Sequence, residues 1–142
     1  MYPTRKDDIA WENDRSAYRV YGPALQRTGE KSFGVDVWTK NTPEIVVEDR
    51  YTADYDGNIL KNIYHKKGQN DKWREEDLRT SFHLDHGNGL DSYSVGATLG
   101  CGTPALMDKG QLLFPYCYKE YEILDNGPLR FTVELVYNPA KI

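Results

Sequence analysis

Toward the end of the chain, Leu129, Phe131, Val133, Leu135 and Tyr137 take every second position against Arg130, Thr132 and Glu134, the period of two that a half-buried strand requires. Before them, YKEYEIL is set off by DNGP. Asn126-Gly127 offers the positive φ of a tight reversal and Pro128 sets the exit, which predicts an antiparallel hairpin over 118–138. Near the start, RSAYRVYGPAL puts Tyr18 and Val20 on one face and Arg15, Arg19 and Tyr21 on the other, a strand ended by Gly22-Pro23. GVDVWTK repeats the alternation, with Val35 and Val37 opposed to Asp36 and Trp38, and QLLFPYC predicts a short strand after a Lys109-Gly110 turn.

One segment follows another rule. In NDKWREEDLRTSF, Asn70 or Asp71 can cap a helix whose next turns are acidic, which predicts a single short helix. The polar stretch from Asp54 to Asn70 lacks a sustained period and contains Asp56-Gly57 and Gly68, the marks of an exposed insertion. Six glycines between Gly87 and Gly110 predict irregular backbone able to approach a ligand closely. Together these elements predict an all-β fold, an antiparallel β-sandwich with one short helix, built as a single β-rich domain over 1–142.

A chain of 142 residues fits one domain. Eighteen basic against twenty-two acidic side chains leave a net charge of -4, so nothing electrostatic draws the chain to nucleic acid. No run approaches the roughly 18 apolar residues of a membrane-spanning helix, and MYPTRKDDIAWEND lacks the apolar centre of an export signal. Neither nucleic acid nor membrane is an expected partner. Cys101 and Cys117 are expected to be separate buried thiols.

The densest chemistry lies in FHLDHGNGLDSYSVG. If the segment is extended, His83 and Asp85 share a face while His86 points away, and a bend at Gly87 can return Asp91 toward them. Imidazole and carboxylate together can shuttle a proton near neutral pH or bind a transition metal, although the spacing matches no standard zinc pattern. A polar turn with Asp accepting from backbone amides fits the same residues. Elsewhere, Trp11, Glu12, Arg15, Arg19 and Tyr21 combine flat rings suited to a sugar face with charges suited to hydroxyls and acids. They are also ordinary sheet residues, as are most of the eleven tyrosines. Asp36, Trp38 and Lys40 fall on one side of their strand, where a solvent face with a cross-strand ion pair is the plain structural expectation. The sequence has no phosphate-binding glycine loop, serine elbow or reactive cysteine signature, so hydride transfer and acyl-enzyme chemistry lack support.

Taken in order, DDIAWENDRSAYRVYGPAL, GVDVWTK, HLDHGNGLDSYSVGATLGCG and YEILDNGPLRFTVELVY resemble the blocks of the bacterial domain-of-unknown-function 4861 family. More weakly, the first and last of them resemble the opening half of the galactose-mutarotase-like supersandwich of sugar epimerases and polysaccharide lyases. The resemblance implies a carbohydrate context, with export to the periplasm or beyond and a part in breaking down complex, often acidic, plant polysaccharides. Relatives of this kind are longer, so the chain corresponds to the N-terminal portion of a longer family domain or to a shortened form whose open sheet edge is covered by a homodimer.

The resulting expectation is a protein that acts on or binds an acidic oligosaccharide by lyase, hydrolase or epimerase-type chemistry. His83 or His86 serves as general acid or base, Asp85 or Asp91 orients it, and Arg15 or Arg19 neutralises a sugar carboxylate. Trp11, Trp38 and Tyr93 stack on the sugar, with Tyr21 beside them. No cofactor or metal is assigned, and calcium near the aspartates stays open. Two alternatives use the same residues: a non-catalytic sugar-binding module, and a truncated, inactive fragment stabilised by oligomerisation.

Overall fold

The computed structural model describes residues 6–92, 94–113 and 117–138. Ten elements follow one another: β1 (Ile9–Glu12), β2 (Ser16–Val20), α1 (Pro23–Arg27), β3 (Asp36–Thr39), α2 (Val47–Lys66), α3 (Asn70–Thr80), β4 (Leu106–Asp108), β5 (Gln111–Leu113), β6 (Glu120–Asn126) and β7 (Phe131–Val136). The first three strands form a sheet in the order β1-β2-β3, and β4–β5 and β6–β7 are antiparallel two-stranded sheets. The content is therefore mixed, and the expected all-β class with one short helix is corrected chiefly by α2. Two compact units are formed, Met1–Trp11 with Tyr18–Asp36 and Val95–Ile142, and Glu12–Ala17 with Val37–Ser94. Strands β1, β2 and β3 each contribute residues to both.

In the first unit, the hairpin expected over 118–138 forms, with Tyr121 opposite Leu135 and Ile123 opposite Val133. Phe131, Val133, Leu135 and Tyr137 pack on the buried cluster of Ile9, Val20 and Tyr118, as the alternation requires. The reversal differs from the expected tight turn. Asn126 still pairs with Phe131, the Gly127 amide bonds the Arg130 carbonyl at 3.0 Å, and neither Asn126 nor Gly127 has positive φ. Leu129 thus sits at the tip of a wider loop and is 97% exposed rather than on the core face. The Lys109-Gly110 turn is the tight one, with φ of 47° and 78°, the paired positive values that suit the twist of a two-residue hairpin. Cys101 is an exposed free thiol and Cys117 a half-buried one, so the expectation of buried thiols is corrected at Cys101.

In the second unit, the stretch expected to be an exposed insertion is the second half of a 20-residue helix. Its ends carry matching charges, Glu48 and Asp49 in the first turn and His65 and Lys66 in the last, each favourable to the helix dipole. Gly68, at φ 66°, stops it. Gly57, which suggested a turn, lies mid-helix where α3 crosses: a Cβ there would stand 2.5 Å from Thr80 Cγ2. Its small size answers a packing constraint. Helix α3 forms over Asn70–Thr80 where the acidic segment predicted it, but the expected cap at Asn70 or Asp71 is corrected: Gln69 is the N-cap, its side chain makes no capping bond, and Asn70 and Asp71 lie inside the first turn.

The start of α2 has no capping side chain of its own. Glu12 supplies one from β1, its carboxylate accepting from the Val46 and Val47 amides at 3.0 to 3.1 Å. Lys40 Nζ closes the arrangement at 2.7 Å from Glu12 Oε2 and 2.7 Å from the Asn13 carbonyl, with its side chain only 1% exposed. One carboxylate therefore satisfies a helix N-terminus and a buried ammonium together. Glu12→Ala is expected to cost about 3 kcal/mol in urea unfolding followed by tryptophan fluorescence, because it strands the buried cation. Adding Lys40→Met to that variant recovers part of the loss; no recovery would show that the cap alone accounts for it.

Candidate functional site

The polar loop singled out by the sequence is wound around a side chain from α2. Arg50 is buried beneath residues 81–89, its Nε bonding Asn88 Oδ1 at 3.0 Å and its Nη1 the Ser81 carbonyl at 3.1 Å. Nη2 reaches Asn88 Oδ1 at 2.6 Å, the Leu84 carbonyl at 3.4 Å and the Gly89 carbonyl. A planar fork with five donors is suited to collecting carbonyls that arrive from several directions. Burial lowers the Arg50 pKa and the Asp85 carboxylate opposes that shift; the guanidinium stays protonated. The loop ends are pinned separately, Thr39 and Leu90 exchanging backbone bonds at 3.0 and 3.1 Å and the Asp91 amide reaching the Phe82 carbonyl at 2.9 Å. Gly89, at φ 100°, passes so close to the Thr39 carbonyl that no Cβ fits.

Asp85 organises the exposed side of the same loop. Its Oδ1 accepts from the Gly87 and Gly89 amides at 2.8 and 3.0 Å, and its Oδ2 from Asn41 Nδ2 at 2.9 Å. The Gly89 amide first, and then that of Gly87, hold its pKa below the ordinary aspartate value. Asp85 is thus the carboxylate of a polar turn. His83 stands at the rim with its side chain 61% exposed, Nδ1 lying 2.9 Å from the Asp91 carbonyl and 3.9 Å from Asp91 Oδ2. Opposite a carbonyl, Nδ1 must carry the proton, which makes Nε2 the acceptor of the neutral ring. His86 is arranged the other way, Nε2 donating to the Ser81 carbonyl at 3.0 Å and Nδ1 remaining as the acceptor. The buried Asp91 carboxylate lies beside His83 alone of the two.

The remaining sequence candidates disperse. Trp38 is 6% exposed, stacked on Phe82 at 5.2 Å between ring centroids and edge-on to Tyr51 at 5.8 Å. Its expected place on a solvent face, and with it a role as a stacking platform, is corrected: the second unit uses the ring as core. In the first unit Trp11 is half-buried and stacks with Tyr18 and Phe131, at centroid distances of 5.6 and 5.3 Å. Arg19 and Tyr21 were expected on a polar face and are buried instead; Arg19 Nη2 and Tyr21 Oη approach Asp36 Oδ2 at 2.5 and 3.3 Å, and Asp8 Oδ2 stands 3.9 Å from Arg19 Nη1. Arg19 and Asp36 make an internal ion pair, not a surface ready for a ligand. Arg15 is exposed in the β1–β2 turn, where Asn13 Oδ1 accepts from the Arg15 and Ser16 amides at 2.8 Å. Its carbonyl bonds the Lys40 amide at 2.8 Å and its Nε lies 3.7 Å from Asp14 Oδ2. Tyr93 lies outside the described residues.

Trp38, Lys40, Arg50, Phe82, Asn88 and Asp91 line a recess of about 10 Å³, room for one water and not for a sugar ring. The chemistry of this unit is therefore presented at an open surface, at His83, His86 and Arg15. Among the described residues, no three His, Cys, Asp or Glu side chains gather in a way that could hold a metal ion, and no helix is long and apolar enough to cross a membrane. Arg50 and Asn88 were not singled out by the sequence. The signal was the spacing of Val47, Arg50, Tyr51 and Asp54, which turns Arg50 inward once the segment is known to be a helix.

A family model described as "Domain of unknown function (DUF4861)" matches residues 1–142. Among curated proteins, "Uncharacterized protein P7" of Formosa agariphila is 30% identical over 142 residues, a match covering 95% of this chain and 31% of that protein. The chain thus spans 31% of the length of that relative. No solved structure matches.

The Asp85 turn predicts a pH response. A carboxyl with a depressed native pKa steadies the loop above its ordinary value and ceases to do so as pH falls through the lowered one. In an acid titration followed by NMR, the Gly87 and Gly89 amide shifts should move together, with a midpoint below that of an ordinary aspartate; a midpoint at or above that value contradicts the assigned bonds. Arg50→Lys replaces the fork with a point charge, and should speed hydrogen exchange at the Gly87 and Gly89 amides by about tenfold or more.

Proposed function

The chain belongs to the DUF4861 family, and from that premise we propose that it acts on acidic oligosaccharides in bacterial polysaccharide breakdown, outside the cytoplasm, with His83 as its proton-transfer group. The observation carrying this proposal is the seating of His83. Its Nδ1 is held by the Asp91 carbonyl, the buried Asp91 carboxylate lies 3.9 Å away, and the rest of the ring is turned to solvent. A base so held keeps one tautomer and one orientation, with Nε2 left as the acceptor of the neutral ring. Arg15, an exposed guanidinium of the same unit, provides the cation for a sugar carboxylate. In the step proposed, Nε2 takes the proton on the carbon next to that carboxylate while Arg15 steadies the charge moving onto its oxygens. In an epimerase, water then protonates the same carbon from the opposite face and His83 gives its proton to solvent; in a lyase, the C–O bond on the adjacent carbon breaks as a C=C bond forms, and the departing glycosidic oxygen takes a proton from the His83 imidazolium or from water.

The rival sugar-binding module relied on Trp38 as its platform, and the burial of that ring between Tyr51 and Phe82 counts against it. With a uronic-acid oligosaccharide chosen by thermal shift, His83→Ala should lower kcat by about a hundredfold or more while unfolding at the wild-type temperature. His86→Ala should have the smaller effect, since its ring rests on the Ser81 carbonyl while the Asp91 carboxylate lies beside His83. Full activity in both folded variants would remove the assignment; retained sugar binding without any turnover in the wild type would favour the module.

A further inference from the structure

Helix α2 meets α3 along Gly57, Lys61 and Tyr64. The missing Cβ of Gly57 makes room for Thr80, Lys61 Nζ lies 3.1 Å from Asp77 Oδ1, and Lys72 Nζ stands 5.9 Å from the centre of the Tyr64 ring. At about 100° per residue, the side of α2 turned away from this seam carries Tyr55, Ile59 and Ile63, which are 48, 47 and 40% exposed. The row continues in both directions. Glu48, Thr52, Tyr55, Ile59, Asn62 and Lys66 are all exposed and follow one another at alternating steps of four and three residues, the spacing of a helix seam that packs against another helix.

The order of residues in that row identifies its occupant. When the row is turned end for end about residue 57, Tyr55 falls opposite Ile59, Thr52 opposite Asn62 and Glu48 opposite Lys66. Apolar meets apolar, polar meets polar, and acid meets base. A parallel arrangement in register would instead set Glu48 against Glu48 and Lys66 against Lys66. We propose that this face of α2 pairs with the same face of a second copy of the chain, antiparallel, about a twofold axis that crosses the face between Tyr55 and Ile59, at the level of residue 57 along the helix. Such an interface is isologous, as a twofold dimer requires. It is also narrow, about 27 Å long from Glu48 to Lys66 at 1.5 Å per residue, so the dimer is weak and dependent on concentration. It is distinct from pairing through a sheet edge and does not depend on the proposed chemistry of His83.

Sedimentation velocity on the full chain over a concentration series tests it. The wild type should shift from monomer to dimer as concentration rises. Glu48→Lys sets lysine against Lys66 at both ends, and Lys66→Glu sets acid against Glu48; each should raise the dimer dissociation constant about tenfold. An equimolar mixture of the two variants, or the double variant Glu48→Lys/Lys66→Glu, restores opposite charges at both ends and should return dimerisation toward the wild-type level. Each substitution opposes the helix dipole at its end of α2, so circular dichroism is recorded on every variant; dimerisation regained by the mixture, in which both altered helix ends are still present, separates the charge pairing from any fraying. A wild type that stays monomeric throughout, or a dimer indifferent to both single substitutions, overturns the proposal.

Discussion

A guanidinium taken out of water must find acceptors for its N–H groups, and around Arg50 that requirement decides the course of the neighbouring chain. Ser81, Leu84, Asn88 and Gly89 all turn oxygens toward it. For so many carbonyls to point inward over nine residues, the backbone must reverse repeatedly, which is why glycine stands at 87 and 89 with positive φ. With the inner carbonyls committed to Arg50, the outward amides of Gly87 and Gly89 turn to Asp85. The histidines inherit their places from this arrangement. His86 rests on the Ser81 carbonyl and His83 on that of Asp91, each fixed through one ring nitrogen.

The same economy of charge recurs at the ends of the strands. Glu12 joins a helix start to a buried lysine in the second unit, and Asp36 receives Arg19 and Tyr21 in the first. Paired ions inside a protein contribute little net stability, because desolvation offsets most of the attraction, but breaking one pair is costly. We read them here as setting register: each pair fits only when its strands lie in the observed alignment. Arg15 and the two loop histidines stay at the surface, His83 with buried Asp91 beside it, and Arg15 and His83 carry the proposed chemistry.

Much of the strand pattern could be read from the chain. Alternation at Phe131, Val133 and Leu135 located β7 and its buried face, and Lys109-Gly110 located a turn, because these signals arise within a few residues of one another. Helix α3 was legible from its acidic start for the same reason. Helix α2 was not. Its Asp56-Gly57 resembles a turn, and the reason for a glycine there is Thr80, more than twenty residues along the chain and visible only when α3 is laid against it. In the site, His83, His86, Asp85 and Asp91 were found as a cluster, yet their division into a solvent-facing ring, a turn carboxylate and a buried partner came from contacts with Arg50, Asn41 and Ser81.

By itself, the sequence determined the strands with strict alternation, the short acidic helix, the glycine-rich loop and the presence in it of imidazoles beside carboxylates, since each depends on local stereochemistry or on composition. Only the tertiary structure decided which polar and aromatic residues were spent inside. Trp38, Arg19 and Tyr21 suit a ligand surface as well as an interior, and nothing nearby in the chain distinguishes the two. Burial is a property of what packs over a residue. The covering groups, Tyr51 and Phe82 for Trp38 and Asp36 for Arg19, come from positions well removed in sequence.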